Sequence, residues 1–187
     1  MKLNLTKYFV FIFVVFLMIS CSHTKKINST SYNTFKSNII LKNTATTSNK
    51  INSNDLSRDK LISYATTLLG TPYKYGSNVI ENGLDCSGFV WVVFNHFNIK
   101  APRVSVDYTN IGKVVSPEKS KAGDIILFTG EDKNSGKIGH LGFVYKNDKS
   151  GFQFIHSASG KNKGVMISNM STYFYERFIK IINYFDE

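Results

Sequence analysis

Cys86 follows Asp85 at the head of the apolar run Cys86-Ser87-Gly88-Phe89-Val90, which places a thiol behind a helix-capping carboxylate. Free amide N–H groups and the macrodipole at a helix start favour negative charge, so they lower a thiol pKa and make the sulfur nucleophilic. The Asp85 charge opposes thiolate formation, and the pattern therefore calls for a cationic partner, a role that histidine fills beside a nucleophilic thiol. The only other cysteine, Cys21, ends a hydrophobic leader, so packing or chemistry must account for Cys86.

Of the four histidines, His23 falls in a polar segment near the leader. His96 stands ten residues beyond Cys86, which is about 15 Å along a helix and out of reach of the thiol. His140 and His156 remain. The turn-like segment Tyr145 to Gly151 lies between them, and a hairpin centred on Asp148 puts the two imidazoles directly opposite each other on one sheet face. Gly139-His140-Leu141-Gly142 opens a strand onto a cleft, which assigns His140 as base and His156 as the group that fixes its tautomer. Taken singly, a cysteine in an apolar helix is a small hydrophobe and a strand histidine is structural. Together, a capped Cys and two facing His favour chemistry. A metal site built from the same three residues finds no fourth ligand. Cys-x-x-Cys, His-Glu-x-x-His and phosphate-binding glycine loops do not occur, and no cofactor or metal is expected.

The elements that must hold these residues follow from periodicity. Asp55 or Ser57 caps a helix with Leu61, Ile62, Ala65, Leu68 and Leu69 on its apolar stripe, stopped by Gly70. Phe89, Val90, Val93, Phe94 and Phe97 form the buried face of the cysteine helix, and Ser105 caps a shorter helix running to about Gly112. The period then changes to that of strands over Asp124–Phe128, His140–Tyr145, Phe152–His156, Val165–Ile167 and Lys180–Phe185. Helices first and strands afterwards give an α+β domain, with an antiparallel sheet packed against the cysteine helix.

Composition sets the compartment. Lys2 and Lys7 flank the start of an apolar run from Tyr8 to Ile19, too short to span a bilayer and of the right length for an export signal, so residues 1–20 are expected to be a signal peptide. Leu17-Met18-Ile19-Ser20-Cys21 resembles a bacterial lipobox, which would make Cys21 the lipidated N-terminus. Residues 22 to 55 contain 19 Ser, Thr or Asn among 34 positions, too little apolar surface to offset ordering entropy, so residues 21–55 are read as a tether. Much of the formal net charge of +10 sits outside the domain, because residues 56–187 hold 16 basic and 12 acidic side chains. Scattered lysines without a recognition motif give no support for nucleic-acid binding.

With those motifs in view, the chain resembles the NlpC family of bacterial cell-wall cysteine peptidases, particularly its short Spr-like murein endopeptidase lipoproteins. The resemblance rests on Gly70-Thr71-Pro72-Tyr73-Lys74-Tyr75-Gly76, Leu84-Asp85-Cys86-Ser87-Gly88-Phe89-Val90, Pro102-Arg103, Gly123-Asp124-Ile125-Ile126-Leu127-Phe128, Gly139-His140-Leu141-Gly142-Phe143-Val144 and Phe154-Ile155-His156-Ser157-Ala158-Ser159. It implies a papain-like fold over residues 56–187, with Cys86 as nucleophile, His140 as base and His156 as the third, polar member. Tyr73 would stand near the oxyanion site and Ser87 would line the same cleft, with Tyr75 left between cleft and packing. The backbone N–H of Cys86 would add an oxyanion donor. The implied partner is peptidoglycan, cut at D-Glu to diaminopimelate or D-Ala to diaminopimelate. The expectation is a monomer held by its N-terminal lipid in the outer membrane, facing the periplasm. An amidase or acyltransferase on the same fold, or a non-catalytic wall-binding lipoprotein, are the alternatives.

Overall fold

The computed structural model describes residues 57–160 and 164–185. The expected signal peptide 1–20, the cysteine expected to be lipidated, Cys21, the segment 21–55 read as a tether, and residue 56 lie outside the described residues.

Helix α1 (Arg58–Thr67) begins where the Ser57 hydroxyl accepts from the Lys60 N–H, as its capping sequence requires. It buries Leu61 and Ala65, with Leu68 just past its end. Leu69 is instead 44% exposed, because the helix stops at Thr67 and the following turn carries that side chain off the stripe. A loop then leads through β1 (Asn78–Val79) and β2 (Gly83–Leu84), an antiparallel pair too short to leave a period-2 signature.

Helix α2 (Cys86–His96) is capped by Asp85, whose carboxylate accepts from the Gly88 N–H. Gly88 is needed there, since a Cβ would stand 2.2 Å from the Ser77 carbonyl oxygen of the preceding loop. Phe89 and Phe94 meet Phe143 edge to face, with ring centres 5.9 and 5.2 Å apart. At the far end of α2, His96 stacks on Tyr64 with ring centres 3.6 Å apart, which makes it a packing residue. Ser105–Asn110 forms a 3-10 turn rather than a capped α-helix: Pro102 and Gly112 bound too short a segment, and the Ser105 hydroxyl donates to the Ile138 carbonyl.

The strands are β3 (Lys113–Val115), β4 (Ile125–Thr129), β5 (Ile138–Asp148), β6 (Gly151–Ala158), β7 (Gly164–Asn169) and, after the single-turn helix α3 (Thr172–Tyr175), β8 (Phe178–Asn183). They form one sheet in the order β3-β8-β4-β5-β6-β7, with each neighbouring pair antiparallel. Alternation gives the sheet two apolar faces. Ile125, Leu127, Leu141, Phe143, Ile155 and Ile182 face the helices. Ile126, Phe128, Val144, Phe154 and Ile181 form a second cluster, covered in part by Phe174 and Phe178. The α+β architecture expected from the pattern is the one observed.

Candidate active site

The histidines reach each other by a register different from the one their spacing implies. The β5–β6 turn falls at Lys149 and Ser150, and Tyr145 bulges out of the ladder, so Phe143 faces Ile155. Continuing that register places His156 opposite Gly142 rather than His140. His140 is its diagonal neighbour on the same face, and the two rings bond through His140 Nε2 and His156 Nδ1 at 2.8 Å. Gly142 makes this approach feasible: a Cβ there would lie 2.8 Å from His156 Cβ and 2.4 Å from the Ile155 carbonyl oxygen.

A hydroxyl extends the chain. His156 Nε2 lies 2.8 Å from Ser168 Oγ on β7. Only one arrangement of protons leaves His140 Nδ1 with a free lone pair: His140 Nε2–H donates to His156 Nδ1, and His156 Nε2–H donates to Ser168. His156 is fully buried. Burial, reinforced by the His140 charge, holds its imidazole well below the usual range. Burial lowers His140 in the same direction, even though one side of it opens onto the cleft. Both rings rest neutral.

Cys86 occupies the first position of α2, and its thiol donates to the Gly139 carbonyl, one residue ahead of His140, at 3.9 Å. The start of α2 thus meets the start of β5. Burial, followed by the Asp85 carboxylate, pushes the thiol up to about 11. The amides at the helix start act in the lowering direction, as expected from the sequence, but they are outweighed. The resting pair is therefore thiol and imidazole. Alkylation of Cys86 by iodoacetamide, read by peptide mass spectrometry, is expected to rise about tenfold per pH unit between roughly pH 7 and 10. A rate already level below neutrality would show a preformed thiolate instead.

Asp85 is itself counter-charged. Arg103 holds it bidentately, with Nη1 to Oδ1 and Nη2 to Oδ2 both 3.0 Å, and Nη1 also reaches Ser87 Oγ at 3.2 Å. Ser87 lies buried in this network, outside the set of side chains that line the cleft, which departs from its expected place. The segment is tied to the sheet by Ser157, whose hydroxyl donates to the Leu84 carbonyl at 2.6 Å.

The cleft has a volume of about 570 Å³ and brings together Cys86, His140, His156, Ser168 and Tyr73. Burial and the neighbouring Cys86 raise Tyr73 to about 12, which keeps it a neutral O–H donor. Tyr75 is 89% exposed at the rim, so it does not pack in the core. Ser168 and Arg177, which also line the cleft, were not singled out from the sequence. Ser168 follows Met166, the β7 partner of His156, by one period-2 step, and only strand pairing reveals that neighbourhood. A nucleophile, a neutral base with its tautomer set, and nearby O–H and N–H donors are the parts needed for acyl transfer.

Residues 70–183 match the NlpC/P60 family. The gamma-DL-glutamyl hydrolase of Bacillus subtilis is 37% identical over 115 residues, covering 62% of this chain and 26% of that protein. The murein DD-endopeptidase MepS/murein LD-carboxypeptidase of Escherichia coli is 32% identical over 110 residues, covering 58% of this chain and 52% of that protein. The crystal structure of an NlpC/P60 family protein from Bacillus cereus superposes with a TM-score of 0.62 at 26% identity, over 70% of this chain and 41% of that one. The chain thus matches about half or less of the length of these relatives.

Proposed function

This chain belongs to the NlpC/P60 family, and from that membership we propose that it is a peptidoglycan hydrolase, a cysteine endopeptidase acting on a stem-peptide or cross-link amide. The observation that carries this reading is the hydrogen-bonded series Ser168, His156, His140 ending in the cleft that also holds Cys86.

The resting thiol gives its proton to His140 Nδ1 as sulfur bonds to the scissile carbonyl carbon. The oxyanion is met by the Cys86 N–H and the Tyr73 hydroxyl. His140 then passes its proton to the departing amine as the C–N bond breaks, leaving a thioester. Water, deprotonated by the same Nδ1, attacks the thioester and releases the acid and the thiol. His156 stabilises the imidazolium formed at His140, and Ser168 accepts from His156 throughout. Because both partners start neutral, the charge appears only when the carbonyl is seated.

The bond cut is D-Glu to diaminopimelate or D-Ala to diaminopimelate; one relative is a γ-DL-glutamyl hydrolase, in keeping with cleavage at a γ-glutamyl carbonyl, and another a murein DD-endopeptidase, in keeping with cleavage in the murein cross-link. Digestion of purified wall followed by mass spectrometry decides between them. Stem peptides cut at a diaminopimelate amine support the proposal. Whole stem peptides released from the sugar would make the protein an amidase, and no product at all would leave a wall-binding role.

Lipid anchoring in the envelope completes the reading, supported by the lipobox-like Leu17 to Cys21 and by the polar run after it. Ser22 after the lipidated cysteine fits outer-membrane sorting. Labelled palmitate is expected in the mature native chain and to be lost in Cys21→Ala; equal labelling of both would overturn the anchor.

A further inference from the structure

The steps above leave one cation of the cleft without a task. Arg177 lines the cleft with Cys86 and His140. Its guanidinium lies 3.8 Å from the centre of the Tyr173 ring. Nη1 donates to the Tyr173 carbonyl at 3.1 Å and Nη2 to the Glu131 carbonyl at 3.4 Å. Its own carbonyl accepts from the Thr129 N–H at 2.8 Å, which fastens it to the end of β4.

None of these contacts is to an anion. Among the described residues no carboxylate lies within ion-pair distance of Arg177. Glu176 pairs with Lys133 at 2.9 Å, and Glu131 offers only its backbone oxygen. Nε is enclosed and finds no acceptor, and the buried Thr129 hydroxyl, one hydrogen bond away, also lacks a partner. A guanidinium fixed by stacking and by neutral carbonyls, with donors left over, is preorganised for a carboxylate.

Its position decides which carboxylate. Arg177 precedes Phe178, Phe178 faces Phe128 on β4, and Phe128 faces His140 on β5. Arg177 thus adjoins a row of paired residues that ends at His140, and both side chains line the same cleft. In both candidate bonds the departing amine belongs to diaminopimelate, a residue with a carboxylate beside each amine. We propose that Arg177, seated on Tyr173, binds the free carboxylate of diaminopimelate on the leaving-group side and selects substrates that carry this charge. The identity of the residue bearing the carboxylate rests on the hydrolase reading.

The test is isothermal titration of the full chain carrying Cys86→Ala with L-Ala–D-Glu–diaminopimelate. The comparison is the same peptide amidated at the diaminopimelate carboxylates. The free acid is expected to bind about tenfold tighter than the amide, the scale of a charge-assisted pair. Arg177→Gln should erase that difference by weakening the acid alone, and Arg177→Lys should keep part of it. Equal losses on both peptides, or no loss, overturn the assignment. Turnover of both peptides and of a cross-linked dimer by the native chain separates this from the parent reading. Discrimination in binding with no cleavage sinks the hydrolase reading alone. Cleavage without discrimination sinks the Arg177 assignment alone.

Discussion

Cys86→Ala is expected to abolish digestion of purified peptidoglycan, with turnover falling by about four orders of magnitude or more, while the protein folds as before. The sulfur is the one group in the cleft that can form the thioester, and a water molecule working alone lacks both its nucleophilicity and its position. The structural cost is small. Cys86 is 8% exposed, and the one hydrogen bond its thiol donates is the long one to the Gly139 carbonyl. Removal of one sulfur atom at such a site costs on the order of 1 kcal/mol, or roughly 2–4 °C in melting temperature. Wall turbidity assays and thermal melts on the same sample measure both quantities. Undiminished digestion by a folded Cys86→Ala protein would remove the nucleophile from the mechanism.

The second large effect separates the two histidines. His140→Ala is expected to lower kcat by about a thousandfold, the range of a lost general base. His156→Gln should cost about tenfold, since Gln offers a carbonyl oxygen to His140 Nε2–H and can still hold the ring. The hydrogen-bond series requires this order: in the proposed mechanism His140 exchanges protons with thiol and amine, whereas the hydrogen bonds of His156 run to His140 and Ser168. Equal and total loss in both variants would mean that His156 takes part in the proton transfers. Measuring kcat on a defined stem peptide, with circular dichroism to verify folding, decides the matter.

What could be read from the sequence was local. Asp85 caps α2, the apolar face of that helix is buried, and His140 and His156 share a sheet face, because capping and period-2 alternation need only a few consecutive residues. Their exact opposition was not legible. The Tyr145 bulge and the Lys149-Ser150 turn shift the register, and the bond survives as a diagonal because Gly142 leaves room for it. Ser168 and Arg177 reach the cleft from β7 and from the segment before β8, through pairings that no short motif encodes. The direction of the thiol pKa was also out of reach. A helix start announces itself in the sequence, but the burial that outweighs it is a property of the closed fold.

The protonated thiol has a consequence for the protein's endurance. Peroxide oxidation and disulfide exchange both proceed through the thiolate. A sulfur held near pKa 11 and covered by protein presents almost none of that form at neutral pH. Cys86 is thereby shielded from oxidants and from mixed disulfides while the cleft stands empty. The same desolvation that slows its chemistry at rest works as a chemical safety catch, keeping an idle sulfur reduced when oxidants are present.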